Sequence, residues 1–322
     1  MSGERELLLR LAAGPATGDA LAQGTGLTRA AVWKRIEALR DAGLRIEAQP
    51  GRGYALADRL ELLERDNILQ ALPPEVGSRV AALDVAWSLD STNSELLRRQ
   101  TVAAGATVLL AEQQTGGRGR RGRAWASPVA ANLYLSIARH FSGGLARLGG
   151  LSLVAGVAVA EALHAQGFAD VGLKWPNDLM VGGRKLGGLL VEGGGEHGGP
   201  VRAVIGVGIN VSMPEAFAIA IDQPWIDLAA LAASPLSRNA VAARVLTQLL
   251  PALDRFDEEG LAPFLSRYSR LDALAGREVL IHSAAGTEQG VAEGIAADGA
   301  LRVRMAGQMR NVHAGEVSVR TQ

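Results

Sequence analysis

Seven consecutive residues, Gly117-Arg118-Gly119-Arg120-Arg121-Gly122-Arg123, carry four fixed positive charges interleaved with glycine. No packed core accepts such a segment, because each buried guanidinium needs its own partner. The flanking sequence is the opposite. Thr107-Val108-Leu109-Leu110-Ala111 precedes the segment and Asn132-Leu133-Tyr134-Leu135-Ser136-Ile137 follows it, both with the composition of buried strands. The segment is therefore expected to be a loop between strands. Guanidinium groups offer planar donors to phosphate oxygens, and glycine lets backbone approach a ligand, so the loop suits a polyphosphate. A solvated basic loop or a nucleic-acid patch is the plainer alternative.

Context excludes two phosphate devices. Gly117 to Gly122 satisfies G-x-G-x-x-G, yet loop and strand follow where the dinucleotide motif needs a helix. A Walker loop fails as well, since Arg123-Ala124 stands where Lys-Ser/Thr is required.

At 322 residues, 48% hydrophobic and 20% charged, the chain is expected to form two or three domains with sizeable cores. Its 33 basic and 33 acidic residues cancel, so any contact with nucleic acid must be local. Without cysteine there is no disulfide, thiol nucleophile or thiolate metal site. His140, His164, His197, His282 and His313 are scattered, with no ligand pair at helical spacing. The N-terminus is charged from Glu4 and lacks an apolar signal core. The longest apolar stretch, Leu151–Leu163, is interrupted by Glu161 and too short for a bilayer. A soluble cytoplasmic protein without membrane contact is expected.

Residues 1–62 are expected to fold as a winged helix-turn-helix. Leu7, Leu8 and Leu11 give a first helix its apolar face, and Gly14-Pro15 ends it. Leu21 and Ala22 mark a short second helix. Thr28 can cap a third, in which Val32, Ile36 and Leu39 recur. Leu44–Glu47 and Tyr54–Leu56 then form a hairpin about Pro50-Gly51-Arg52-Gly53. The third helix would offer Arg29, Trp33 and Lys34 to a major groove. Nine Lys/Arg against seven Asp/Glu over positions 1–60 support DNA only mildly, and a protein-interaction domain is the alternative.

Residues 63–271 mix helices and strands. Thr92 followed by Glu95 has the form of a capping box, so the hydroxyls of Ser91-Thr92-Asn93-Ser94 could serve only as caps. Leu151–Leu163 has the composition of a core helix. Val171, Leu173 and Trp175 alternate in a strand that Pro176 stops. Gly182-Gly183 closes a hairpin from Leu179 to Leu186. With Val181 opposite Arg184, Asp178 falls opposite Gly187 and diagonal to Lys185, ~7–8 Å away on one face. That cation and carboxylate suit phosphate plus magnesium; they equally suit an ordinary surface pair. Ala203–Asn210 is expected as a buried strand delivering Asn210. Over residues 272–322, strands at Glu278–His282, Gly290–Ile295, Leu301–Met305 and Val317–Arg320 suggest a small β-barrel.

In this order, the arginine loop, Lys174-Trp175-Pro176-Asn177-Asp178 and Arg184-Lys185-Leu186-Gly187-Gly188 resemble the biotin protein ligases. More narrowly, they resemble the bifunctional bacterial members that join a biotin–[acetyl-CoA-carboxylase] ligase to a biotin operon repressor. The likeness runs nearly end to end and takes in Thr28-Arg29-Ala30-Ala31, Pro50–Tyr54 and Leu261-Ala262-Pro263. It implies an α+β protein: the winged helix, a mixed sheet like that of class II tRNA synthetases, and an SH3-like β-barrel. It also implies two steps. Biotin's carboxylate attacks the α-phosphate of ATP to give biotinyl-5′-AMP and pyrophosphate; a lysine of the biotin carboxyl carrier protein then takes the biotin. Mg2+, biotin operon operator DNA and a homodimer follow from the same likeness.

By that likeness, Ser91, Thr92, Asn93 and Gln114 are biotin contacts, and hydroxyls and amides suit an uncharged cyclic urea. Arg118, Gly119 and Arg120 close over the carboxylate and phosphate, and Gly188 borders the biotin. Lys185 falls beside the reacting carboxylate and α-phosphate, where a point charge offsets the charge of an in-line displacement. Arg120, Arg121, Trp125, Asn177, Asp178 and Asn210 map to the nucleotide, Asp178 also to magnesium, and Trp225 to an adenine-stacking tryptophan. Lys185, Arg118, Arg120 and Asp178 make up the implied catalytic set. Thr28, Arg29, Ala30, Trp33, Lys34 and Arg52 are the implied DNA contacts. Ala124 and Ala126 depart from the larger or basic residues frequent in relatives.

Two other readings compete. One is a repressor whose large domain only senses a ligand; Lys185 and the full arginine loop speak against it, since sensing needs no α-phosphate chemistry. The other is a lipoate ligase of the same superfamily, against which stand the winged helix and the arginine loop.

Overall fold

The computed structural model describes residues 3–100, 102, 104–142, 144, 148–195, 201–219, 221–283, 286–313 and 318–321. Three helices open the chain: α1 (Gly3–Ala13), α2 (Gly18–Thr25) and α3 (Arg29–Asp41). Thr17 and Thr28 cap α2 and α3, each accepting a backbone N–H three residues on at 3.2 Å. Gly26, at φ 68°, ends α2 in the left-handed conformation and turns the chain into α3. The hairpin of β1 (Ile46–Gln49) and β2 (Gly53–Leu56) follows. Leu7, Leu8, Leu11, Leu21, Val32, Ile36 and Leu39 bury together as their spacing requires.

This small unit is built into the rest of the chain. Leu62, Val129 and Ala130 join its core. Val129 N donates to Ala42 O at 3.2 Å, Trp87 Nε1 to Glu4 at 3.0 Å, and Arg5 pairs with Glu64 at 2.7 Å.

After α4 (Arg65–Gln70) and α5 (Pro74–Gly77) comes a mixed sheet of seven strands. These are β3 (Val80–Leu89), β4 (Ala106–Gln114), β5 (Leu133–Phe141), β6 (Gly172–Lys174), β7 (Asp178–Val181), β8 (Arg184–Gly195) and β9 (Val201–Ile209). Their spatial order is β3-β4-β5-β9-β8-β7-β6, with only β3 and β4 parallel. The helices are α6 (Thr92–Arg98), α7 (Leu151–His164), α8 (Glu215–Ala218), α9 (Arg238–Glu259) and α10 (Ala262–Leu271). Leu133, Leu135 and Ile137 of β5 and Ile205, Val207 and Ile209 of β9 pack with α7 and α9 in one core. Strand alternation sends Tyr134, Ser136, Gly206 and Gly208 to the opposite face. That face carries the site.

The last sheet holds β10 (Glu278–Ser283), β11 (Gly286–Ile295), β12 (Leu301–Met305), β13 (Gln308–Val312) and β14 (Ser318–Thr321). All pairs are antiparallel, in the order β13-β12-β11-β10-β14. Val317 of the expected last strand lies outside the described residues. The strand β13 was not expected, because its Gln-Met-Arg-Asn-Val sequence is mostly exposed and lacks apolar alternation. Trp175, 2% exposed, donates its indole N–H to Gly299 O at 3.0 Å and so ties this sheet to the central one.

Two local expectations are corrected. The N-cap of α6 is Ser91, whose extended backbone lets Oγ accept from Ser94 N at 3.4 Å. Thr92 is thereby released from capping, and its hydroxyl turns to Gln114 and Ser136. In the β7–β8 hairpin, Gly182 and Gly183 make the turn at φ 56° and 78°, and Val181 pairs with Arg184. The register then shifts past Met180↔Lys185, so Asp178 pairs with Gly188 and not with Gly187. Leu186 and Leu189 both bury in the α7 core although three residues apart, which a regular strand forbids and a bulge permits.

The tightest junction is electrostatic. Glu112 of β4 and Arg238 of α9, 2% and 5% exposed, pair at 2.8 Å. Arg238 also donates to Asn132 O and Glu61 O, while Leu63 N donates to Glu112. Burial pushes the Glu112 carboxyl up from its usual range, against the pull of Arg238. Arg238→Met leaves that carboxylate dry and unpaired, so a loss of about 3–5 kcal/mol is expected from urea denaturation. Adding Glu112→Gln should recover part of it; an additive loss would contradict the pairing.

Candidate active site

Beyond β4 the arginine segment folds back on itself. Trp125 N donates to Gly117 O at 2.9 Å and Gly119 N to Arg123 O at 2.8 Å, closing a tight hairpin. Its tip, Arg120–Gly122, is a single 3-10 turn with Arg121 at φ 58°. Arg121 and Arg123 are exposed, whereas Arg120 is half-buried with Nη1 3.5 Å from Asn177 Oδ1. Burial pulls the Arg120 guanidinium below its usual range, and the charge of Asp178 opposes that pull.

Under this hairpin lies a cavity of about 680 Å3. Ser91, Thr92, Asn93, Gln114, Arg118, Gly119, Arg120, Arg121, Trp125, Asn177, Asp178, Lys185 and Gly188 all line it. Asn210 and Trp225 line a second cavity of about 280 Å3, which shares Trp125 and Lys185 with the first. Among the residues lining the larger cavity, six are cationic (Arg118, Arg120, Arg121, Arg123, Lys174 and Lys185) and two are acidic (Asp178 and Asp222). A chain of zero net charge thus concentrates positive potential in one concave place, which is what an anionic ligand requires.

One end of the large cavity is polar without net charge. Thr92 N donates to Gln114 Oε1 at 2.8 Å, and Gln114 Nε2 donates to Ser127 Oγ at 3.3 Å. Ser136 Oγ lies 2.7 Å from Thr92 Oγ1 and 2.6 Å from Asn93 Oδ1. Gly206 makes this possible: a Cβ there would stand 2.4 Å from Asn93 Oδ1. Ser136, Ser127 and Glu192 belong to this network, and sequence reasoning missed all three. A serine inside the apolar run Leu133–Ile137 and a glutamate after Leu189-Leu190-Val191 were the available signals.

At the other end, Lys185 Nζ pairs with Asp178 Oδ1 at 2.8 Å and sits 5.5 Å from the centre of the Trp125 ring. The indole lies flush on β9, because Gly208 has no Cβ; one would fall 2.8 Å from Trp125 Cε2. The backbone of Lys185 is fixed from both sides, its N–H donating to Pro224 O at 2.9 Å and its C=O accepting from Ile226 N at 3.0 Å. Trp225 is thereby set beside Lys185. Asn210 is 4% exposed and donates Nδ2 to Ile226 O at 3.1 Å, so its amide braces this strand contact. Asn177 Nδ2 likewise donates to Leu189 O at 2.8 Å, leaving Oδ1 toward the cavity.

Among the described residues no three His, Asp or Glu side chains gather into a metal cage. A magnesium ion carried on nucleotide phosphates needs only one or two protein carboxylates, and Asp178, beside the cationic wall, meets that need. The implied DNA contacts line neither cavity. Thr28, Arg29, Ala30, Trp33, Lys34 and Arg52 are all exposed, and Trp33 is an uncovered aromatic at 55%.

Family profiles match three stretches: an HTH domain over residues 5–55, the biotin/lipoate A/B protein ligase family over 85–210, and the biotin protein ligase C terminal domain over 275–320. The chain is 41% identical over 305 residues to the bifunctional ligase/repressor BirA of Escherichia coli K12, covering 95% of this chain and 93% of that protein. It is 35% identical over 264 residues to the biotin–[acetyl-CoA-carboxylase] ligase of Mycobacterium tuberculosis H37Rv, covering 79% and 92%. The biotin protein ligase from Aquifex aeolicus in complex with biotin and ATP superposes with a TM-score of 0.64 at 27% identity. That match covers 75% of this chain and 100% of the other. The chain belongs to the biotin protein ligase family. Within that family, its likeness to the bifunctional ligase/repressor extends from the helix-turn-helix region through the C-terminal domain.

The contact of Trp125 with Gly208 is testable by itself. Gly208→Ala should overpack the site and cost about 1–3 kcal/mol in denaturant unfolding. In a Trp125→Ala background the same change should cost almost nothing, a coupling that a double-mutant cycle reads directly. Equal costs in both backgrounds would place the indole elsewhere.

Proposed function

We propose that this protein joins biotin to ATP as biotinyl-5′-AMP and passes the biotin to a lysine of a biotin carboxyl carrier protein. Carrying this reading is the arrangement of the large cavity: an uncharged polar end, a cationic wall, and Lys185 between that wall and the second cavity. Ser91, Thr92, Asn93 and Gln114 take the cyclic urea, which needs donors and acceptors but no charge. Arg118 and Arg120 take the carboxylate and phosphate, and Gly188 leaves room beside Lys185 and Trp125 for the chain that joins them. Trp225, Asn210, Asn177 and Arg121 bound the nucleotide.

The first step forms a bond from a biotin carboxylate oxygen to the α-phosphorus and breaks the bond to pyrophosphate. Two anions must meet, so the residues act by offsetting charge. Lys185, aimed by its ion pair with Asp178, neutralises oxygens at the α-phosphorus as negative charge builds there. Magnesium held at Asp178 would supply further neutralisation of the triphosphate. The arginine hairpin then shields the mixed anhydride from water until a carrier lysine attacks its carbonyl and AMP departs. A sensing-only repressor needs neither the Lys185–Asp178 pair nor this shield.

The same proposal assigns residues 1–62 to operator binding, 63–271 to ligation and 272–322 to the C-terminal domain, in a homodimer whose adenylate-bound form represses biotin synthesis genes. Thr28, Arg29, Ala30, Trp33, Lys34 and Arg52 form the DNA face.

Lys185→Ala should lower biotin-dependent ATP–pyrophosphate exchange by an amount worth about 2.7–4 kcal/mol, with the fold unchanged by circular dichroism. Exchange within a few-fold of the parent would remove Lys185 from the chemistry. Operator affinity should fall steeply with salt, and Arg52→Ala should flatten the log–log slope by ~0.9 if the wing meets one phosphate. An unchanged slope would take Arg52 off the DNA face.

A further inference from the structure

Glu192 lies on β8 and does not line either cavity, yet it touches two of the groups assigned above. Its Oε2 accepts from Asn93 Nδ2 at 2.8 Å, and its two oxygens accept from Arg118 Nη2 at 3.0 and 3.2 Å. Arg118 reaches on to Ser94 Oγ.

Asn93 is 3% exposed, and its two amide protons go to Leu190 O at 3.1 Å and to Glu192. Both partners can only accept, so the amide cannot be reversed without setting its oxygen against two oxygens. Asn93 Oδ1 therefore faces Ser136, which is fully buried, and the 2.6 Å contact uses the single proton of Ser136. The 2.7 Å contact between Ser136 and Thr92 must then run from Thr92 to Ser136. Gln114 Oε1, 3.1 Å away, competes for that same proton, but the shorter Ser136 contact has no other donor and claims it, so Thr92 Oγ1 turns lone pairs toward the cavity beside the acceptor Gln114 Oε1. Ser91 Oγ accepts from Ser94 N and keeps its own proton to give. The end of the cavity thus offers acceptors on one side and a hydroxyl donor on the other, the complement of two urea N–H groups and a urea carbonyl.

We propose that Glu192 is a positioning residue that sets the donor–acceptor polarity of the urea site through Asn93, Ser136 and Thr92, while holding Arg118 at the stem of the arginine hairpin. This inference rests on the biotin reading of the cavity. One carboxylate thereby couples the ordering of the hairpin to the polarity of the site beneath it. Glutamine cannot replace it: its amide has one acceptor, so either Asn93 or Arg118 meets a donor.

The test is calorimetric, on the full-length protein. Biotin is titrated into the parent, Glu192→Gln, Ser136→Ala and the double variant, and a non-hydrolysable ATP analogue is titrated at saturating biotin. Glu192→Gln should weaken biotin by about ten- to a hundred-fold with the melting temperature unchanged. Ser136→Ala, which leaves Arg118 alone, should weaken biotin in the same direction with ATP-analogue affinity within about two-fold of the parent. The double variant should be little worse than the weaker single one, because both break one chain. Three results would overturn the inference: Glu192→Gln binding biotin like the parent, both ligands weakening together with a lower melting temperature, or the two losses multiplying independently. A parent that binds no biotin overturns the ligase reading itself, and this inference with it.

Discussion

The buried pair of Glu112 and Arg238 is the joint on which the rest of the molecule hangs. Two charges almost out of water persist only where every remaining donor and acceptor is matched, and here the matching groups come from separate parts of the chain. Leu63 N and Glu61 O come from the stretch after the β1–β2 hairpin, Asn132 O from the residue just before β5, and Arg238 is the first residue of α9. Glu112 O also accepts from Ala130 N at 3.0 Å, so the returning end of the arginine loop is pinned at the same point. The small domain, the catalytic sheet and the loop's anchor consequently share one rigid origin.

From that origin the site follows by strand alternation. Leucine, isoleucine and valine fill one face of β5 and β9 against α7 and α9, which leaves the other face free for small and polar residues. Gly206 admits the Asn93 amide and Gly208 admits the Trp125 ring. The cationic hairpin can therefore lie close over the sheet without a deep cleft between domains. Lys185 reaches the centre from β8 because it pairs with Met180, which shares a face of β7 with Asp178, and the two charged ends meet there.

Much of this was legible in the residues alone. Apolar spacing located α1 and α3, composition located α7, the Gly182-Gly183 turn located the β7–β8 hairpin, and the arginine loop suited a polyphosphate. What stayed hidden depended on contacts distant in sequence. Thr92 carries a capping signature, and only the arrival of Gln114 and Ser136 from neighbouring strands shows that it serves otherwise. The bulge at Leu186 comes from the demand that Leu186 and Leu189 share a core, which a local hairpin rule does not contain. Glu192 and Ser136 look like ordinary strand residues until the sheet order sets β5, β9 and β8 side by side. Trp175 stands in the same motif as Asn177 and Asp178, yet its indole anchors the C-terminal sheet. A motif's residues need not share one task.

In the proposed function the two adjoining cavities, meeting at Lys185, activate biotin on ATP for delivery to a lysine. The most direct measurement is mass spectrometry of a biotin carboxyl carrier domain after incubation with this protein, ATP and either biotin or lipoate. One biotin added at one lysine, dependent on ATP, and no addition with lipoate is the expected result. A carrier that stays unmodified with biotin, or that takes lipoate as readily, would contradict it.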